Sequence, residues 1–229
     1  MGGENPKQFI EISGTPILVY TLGALLQTDF LDQVILVVPG GGLEKTEKML
    51  HGFGFFGPSV KDQNDVIRPH FSLVEGGEER QASVFNALEV LPPACSYVMI
   101  HDGVRPFVSS RLLTETWKAA LANGAAIAAV PATDTVKRVR DRKVQATLER
   151  EEIWLVQTPQ VFRTDVIVEA YRAAKELGWS ATDDASLVER TGHPVTIVPG
   201  ERTNIKITTP EDLRWAEWFI QESATLTAG

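Results

Sequence analysis

Short runs of β-branched and aliphatic residues alternate along this chain with longer amphipathic stretches, and that alternation restricts the fold more than any other feature. Strands are expected at residues 34–38, 71–74, 97–100, 126–130 and 195–198. Helices are expected at 16–27, 43–52, 80–91, 110–123, 164–177, 184–191 and 210–222. In the first helix Ile17, Leu18, Leu22, Leu25 and Leu26 fall on one stripe, and Thr209 with Pro210 supplies a cap and a pre-set first turn to the last. Such spacing predicts βαβ units, giving an α/β fold with a mostly parallel sheet covered by helices on both faces. A length of 229 residues with 43% hydrophobic content suits one domain over residues 1–229.

Two segments break the rhythm. Residues 53–69 are rich in Gly, Pro, Asn and Asp and read as a long surface loop. Residues 133–150, TDTVKRVRDRKVQATLER, alternate as a polar hairpin, with Val136 and Val139 before an RDRK turn and Val144, Ala146 and Leu148 after it. Such a hairpin cannot bury both faces alone, so it is expected to project as a β-arm and to find a partner, which makes a homodimer the expected assembly.

Charge and cysteine content narrow the classes. A formal net charge of -8 argues against wholesale nucleic-acid binding, which needs a broad basic surface, and an anionic ligand would need locally gathered lysines and arginines. Cys95 is the single cysteine, which allows no internal disulfide and fits a reducing compartment. The longest apolar stretches, such as residues 125–130, are too short to cross a bilayer and the start has no leader-like apolar region, so a cytoplasmic protein is expected.

Six stretches carry candidate chemistry. VMIHDGVRP places Asp102 at the carboxyl edge of a strand, where open α/β sheets bind ligands. Asp102 there could accept from a ribose hydroxyl or hold Mg²⁺ beside a phosphate chain, with Gly103 allowing close approach and Arg105 clamping an anion. Equally, Asp102 could cap the following loop with Arg105 as its ion-pair partner. In VEGGEERQASVFNAL, Gly76 and Gly77 turn the chain and Arg80 and Ser83 enter a helix whose first amides could face an anion or a base edge. A plain strand-to-helix turn reads the same way. In ATLEREEIWLVQTPQVF, Arg150 ends the arm, Trp154 reads as core or interface, and Thr158 and Gln160 read as turn-formers around Pro159. Asp183 and Asp184 in SATDDASLVE read as helix caps and dipole partners. Lys206, between Ile205 and Ile207 on a short expected strand, is either exposed or directed at something negative. The opening MGGENPKQF sets Gly2, Gly3 and Lys7 where phosphate loops carry their glycines and lysine, with no hydrophobic strand before them.

Together, PKQF, GGEERQASV, HDGVRP, ATDTVKR, QTPQVF, TDDASLVE and NIKITTPEDL, in that order, resemble the methylerythritol phosphate cytidylyltransferases of the non-mevalonate isoprenoid pathway. The resemblance implies a Rossmann-like nucleotidyltransferase domain that binds CTP and Mg²⁺ and dimerises through an exchanged β-arm. It implies transfer of CMP to the 4-phosphate of methylerythritol with release of pyrophosphate. Lys7 would contact the triphosphate, Gly77 and Ser83 the cytosine, and Arg80 would support that loop. Asp102 and Gly103 would hold the ribose. Arg105, Lys206, Thr182 and Thr158 would line the acceptor pocket, with Arg150 and Thr135 delivered by the partner's arm. The sequence departs from the family's HDAARP-like motif, where Ala usually follows the Asp and this chain has Gly103 and then Val104. It also lacks the family's first strand and most of its Gly-rich loop, which implies either that the given start is too late or that the chain is a weak or inactive enzyme. A ribitol phosphate cytidylyltransferase and a non-catalytic nucleotide-binding dimer are the alternative readings. An oxidoreductase is disfavoured, because no strand leads into G-x-G-x-x-G with a following acidic residue.

Overall fold

The computed structural model describes residues 6–55 and 69–227, with side chains described through residue 222. The opening Gly2 and Gly3, and all but the two ends of the loop expected at 53–69, lie outside the described residues.

The expected alternation is present. A 3-10 turn at Lys7–Phe9 leads to a small hairpin, β1 (Glu11–Ile12) and β2 (Thr15–Pro16), and to α1 (Ile17–Leu25). Next come β3 (Gln33–Val38), α2 (Leu43–Gly52), β4 (His70–Glu75), α3 (Arg80–Glu89), β5 (Tyr97–Ile100), α4 (Ser110–Asn123) and β6 (Ala125–Pro131). The arm is β7 (Lys137–Arg140) and β8 (Lys143–Thr147), followed by β9 (Trp154–Arg163). The chain continues through α5 (Thr164–Leu177), α6 (Asp184–Arg190), β10 (Thr196–Pro199) and α7 (Pro210–Thr227). Ser109 caps α4 by accepting from the Leu112 amide, and Gly124 ends that helix at φ 85°, a left-handed conformation that suits glycine.

The α/β class is as expected, and β9 is the element the sequence does not announce. It lies between β6 and β5 in the four-stranded order β10-β6-β9-β5, antiparallel to both neighbours, while β10 and β6 pair in parallel. The segment around Pro159 is therefore strand rather than turn. Pro159 follows a cis peptide, and the β6–β9 register shifts between Ile127 and Ala129 alongside it. A second, parallel pair joins β3 and β4. Lys206 lies in an irregular segment rather than on a strand.

Side-chain alternation on β9 and β6 builds two cores. Phe162, Ala125 and Ile127 pack with Ile167, Tyr171 and Leu187 of α5 and α6. Val161, Ala126 and Ala128 pack with Leu112 and Leu113 of α4 on the opposite face. A strand buried on both faces has to be apolar at successive positions, which explains AAIAAV in β6. A cavity of about 970 Å³ is lined by residues of β3 and β5, by apolar side chains that include Leu22, Leu36 and Val98, and by Arg80, Asp102 and Lys206.

The arm folds back through Asp141 and Arg142, both at positive φ (50° and 60°), as a two-residue hairpin loop requires. Its Val139 and Val144 are exposed, as are Leu155 and Val156 at the start of β9.

Phe162 has no solvent exposure. Phe162→Ala is expected to lower unfolding free energy by about 3–5 kcal/mol in urea denaturation. A loss below about 1 kcal/mol would contradict its place at the centre of the core.

Candidate functional site

β5 ends in His-Asp-Gly, and the sheet aims this loop at the space between α3 and the 200–208 segment. The Asp102 carboxylate, largely buried, meets three cations: Lys206 Nζ at 3.1 Å, Arg105 Nε at 3.2 Å and Arg80 Nε at 3.8 Å. Burial works against ionisation of Asp102, but the charges of Lys206, Arg105 and Arg80 overcome it and hold the carboxyl below its ordinary value. Arg105 is buried, and its Nη1 donates to the Asn204 carbonyl at 2.8 Å. Burial pulls the Arg105 guanidinium below its ordinary value, with Arg80 adding to the effect while Asp102 opposes it.

A second chain of hydrogen bonds fixes the same loop. The Asp102 amide donates to Thr158 Oγ1 at 3.0 Å, and Thr158 Oγ1 lies 3.0 Å from His101 Nδ1. His101 Nε2 lies 3.2 Å from the Arg105 carbonyl, which can only accept, so Nε2 carries the proton and Nδ1 accepts from the Thr158 hydroxyl. Burial lowers the His101 pKa to about 4, keeping the ring neutral. Gly103 is tied from the other side, its carbonyl accepting from Thr21 Oγ1 of α1 at 3.0 Å.

The Gly76–Gly77 turn follows β4 directly. The Gly77 amide donates to Ser83 Oγ at 3.1 Å, clasping the turn to the first turn of α3. A Cβ on Gly77 would collide with the Ala82 Cβ, so close packing reserves this position for glycine. Arg80, at the start of α3, forms a two-pronged pair with Asp184, Nη1 to Oδ1 at 2.9 Å and Nη2 to Oδ2 at 2.5 Å. Burial opposes its charge, but Asp184 and Asp102 raise its pKa above the ordinary guanidinium value.

Arg80, Asp102, Arg105, Thr158 and Lys206 thus share one contact network, with Gly103 next to Asp102 in the chain and the Gly77–Ser83 clasp on the helix that carries Arg80. The other candidates stand around it. Lys7 is exposed on its 3-10 turn, which packs through Phe9 against Leu18, Leu22 and Leu50. Thr182 is exposed just before α6, and Thr135 is exposed at the base of the arm. Arg150 is held at that base by the Thr133 carbonyl at 3.1 Å and by Glu151 at 3.5 Å.

Two residues differ from the sequence reading. Asp183 caps α6 by accepting from the Ser186 amide, as expected, but Asp184 is fully buried in the pair with Arg80. Gln160 is a buried strand residue that accepts from the Ala185 amide and donates to Asp183 Oδ2. Asn204 and Gln157, which the sequence reading passed over, hold the 200–208 segment against β9: Asn204 Nδ2 donates to the Thr158 carbonyl at 2.8 Å and Gln157 Nε2 to the Glu201 carbonyl at 2.8 Å. A polar side chain beside an apolar run was the available signal for both.

The sequence profile of the family described as 2-C-methyl-D-erythritol 4-phosphate cytidylyltransferase matches residues 1–222. The chain belongs to that family. A cytidylyltransferase of this name from Syntrophus aciditrophicus (strain SB) is 46% identical, with 97% of this chain and 91% of the relative aligned. One from Geobacillus kaustophilus (strain HTA426) is 44% identical, covering 93% and 88%. Among solved structures, the 4-diphosphocytidyl-2C-methyl-D-erythritol synthase of Anaerococcus prevotii DSM 20548 superposes with a TM-score of 0.82 at 32% identity, covering 94% of this chain and 90% of its own. The cytidylyltransferase of Thermus thermophilus superposes with a TM-score of 0.74 at 35% identity, covering 94% of each chain. The 2-C-methyl-D-erythritol 4-phosphate cytidylyltransferase family is therefore the frame in which the Asp102 cluster is read. Among the described residues, no helix is long and apolar enough to cross a membrane.

The His101 geometry has a pH consequence. Its folded pKa lies below the value of about 6.5 for a free histidine, so the unfolded chain binds the extra proton first. The stability it contributes is full above pH about 6.5 and declines as pH falls toward 4. Ring nitrogen NMR is expected to show the Nε2–H neutral form of His101 from pH 8 down to 5. Protonation near pH 6 would contradict the Thr158–His101–Arg105 arrangement.

Proposed function

We propose that this protein transfers CMP from CTP to the phosphate of 2-C-methyl-D-erythritol 4-phosphate, forming CDP-methylerythritol and releasing pyrophosphate. Convergence of Arg80, Arg105 and Lys206 on Asp102 carries the reading, in a chain whose family relatives bear that activity in their names. On a protein of net charge -8, this gathering of cations beside a Gly-Gly turn suits an anionic nucleotide and a phosphate acceptor.

The acceptor's phosphate oxygen attacks the α-phosphorus of CTP. A new P–O bond forms there as the bond to the bridging oxygen breaks, and pyrophosphate leaves. A phosphate monoester has its second pKa near about 6, so the nucleophile is already ionised and no general base is needed. The protein's task is to align two anions and to offset charge in the transition state. Gly77 and Ser83 meet the cytosine, Arg80 holds that turn to its base, and Asp102 with Gly103 accepts the ribose. Lys7 faces the triphosphate. Lys206, Arg105, Thr182 and Thr158 line the acceptor pocket, and Arg150 and Thr135 enter it from a partner's arm. Exposure of Val139, Val144, Leu155 and Val156 supports a homodimer formed through that arm. The lone Cys95 supports a cytoplasmic location.

Mg²⁺ fits this site as a nucleotide-borne ion. Groups of three or more potential metal-ligating side chains are absent among the described residues, and Asp102 is encircled by cations. That donor set suits an ion carried mainly by triphosphate oxygens and water, with Asp102 as the carboxylate at hand. When bound, Mg²⁺ neutralises triphosphate charge.

Pyrophosphate release from CTP and methylerythritol 4-phosphate with Mg²⁺ tests the reaction. Turnover is expected, and Lys206→Ala or Arg150→Ala should raise the acceptor KM by about tenfold or more while CTP still binds. Turnover with ribitol phosphate in place of methylerythritol phosphate would overturn the acceptor assignment. Loss of CTP binding in these variants would overturn the division of roles.

A further inference from the structure

Asp184 is fully buried, yet it is not needed as a helix cap. Asp183 already accepts from the Ser186 amide and from Gln160, and Gln160 in turn receives the Ala185 amide, so the start of α6 is satisfied without it. The Asp184 carboxylate instead points inward and collects three donors: both Nη atoms of Arg80 and the hydroxyl of Tyr171 on α5. Burial first, and then the Asp184 charge, raises the Tyr171 pKa, so its hydroxyl remains a donor.

The pairing constrains Arg80 strongly. A guanidinium is planar, and a carboxylate that engages both Nη atoms fixes the direction in which the Nε edge faces. Here that edge faces Asp102 Oδ1 at 3.8 Å. Arg80 therefore lies between two carboxylates, one structural and one at the ligand rim. A buried carboxylate that loses its partner is left uncompensated, so Asp184 restrains Arg80 from swinging into solvent. Ser83, which clasps the Gly77 amide, lies one turn further along α3. Tyr171, Gln160 and the start of α6 support Asp184, and this rigid framework sets the Arg80 orientation before a ligand arrives.

We propose that Asp184 is a positioning residue for nucleotide recognition, holding Arg80 between itself and Asp102 so that the Gly77–Ser83 turn and the Asp102 carboxylate are pre-set for CTP. The proposal rests on the nucleotide reading of this site. It predicts an effect larger on CTP than on the acceptor, because Lys206 and Arg105 reach Asp102 directly, without passing through Asp184.

Calorimetric CTP binding, steady-state KM values and thermal unfolding of the full chain provide the test. Asp184→Asn is expected to weaken CTP binding by about tenfold or more, as loss of a charged hydrogen-bonded pair does, with the acceptor KM changed less than about twofold. Asp184→Glu should recover part of the loss. Tyr171→Phe, which removes one donor but leaves the Arg80–Asp184 pair, should lower the unfolding temperature and weaken CTP less than Asp184→Asn does. In an Arg80→Ala background, Asp184→Asn should weaken CTP no further. Should Asp184→Asn fail to fold, Arg80→Lys addresses the same point: a lysine keeps the charge but cannot span both carboxylates, and it should weaken CTP to a similar extent. Wild-type CTP affinity in Asp184→Asn or in Arg80→Lys would overturn the proposal, as would an undiminished Asp184→Asn effect without Arg80. If the unsubstituted chain bound no CTP, the nucleotide reading would fall and the positioning role with it. CTP binding with no response to Asp184→Asn would remove the positioning role alone.

Discussion

The Asp102 carboxylate and the three cations around it form the interaction on which the rest of the site depends. A carboxylate so far withdrawn from water is costly unless it is paired. Here Lys206, Arg105 and Arg80 pair it from three sides. Each cation comes from a different part of the chain: the 200–208 segment, the loop after β5 and the start of α3. Their meeting at one atom group is thus a product of the fold. The Lys206 contact is partly exposed, and such a pair contributes about 1 kcal/mol or less to stability. Its value lies in placing a cation beside an anion-binding rim. With Asp184 included, three cations face two carboxylates, leaving the cluster positive within an acidic protein.

β9 makes that convergence possible. It fills the sheet between β5 and β6, buries Val161 and Phe162 on opposite faces, and delivers Thr158 beneath the Asp102 amide. Through Gln160 it anchors α6, and through Gln157 and the Thr158 carbonyl it anchors the segment that carries Lys206. Core packing and site geometry are therefore coupled in this strand. Neutral His101 bridges Thr158 to the Arg105 carbonyl, so the loop after β5 is braced along its backbone as well as by its side-chain charges.

Much of this was legible in the sequence because local patterns report local structure. Aliphatic runs gave β3, β4, β5, β6 and β10, and the polar valine alternation gave the β7–β8 arm. His-Asp-Gly at a strand end located Asp102. What could not be read were contacts between residues far apart in sequence. Gln-Thr-Pro-Gln looks like a turn because proline usually interrupts a strand; only its neighbours in space show β9 accommodating Pro159 with a cis peptide. Asp183 and Asp184 look equivalent in sequence, yet one caps a helix and the other is turned into the interior by an arginine 104 residues away. Lys206 sits between two isoleucines as a strand residue would, but hydrogen bonds from Asn204 and Gln157 hold that segment without a ladder.

The most direct measurement is a carbon-13 NMR titration of the Asp102 carboxyl in the free protein and in Lys206→Met. Encirclement by cations predicts a midpoint below the value of about 3.9 for a free aspartate, moving upward when Lys206 is neutralised. A midpoint at or above that value, unmoved by Lys206→Met, would contradict the role assigned to Asp102 as the shared counter-ion of the site.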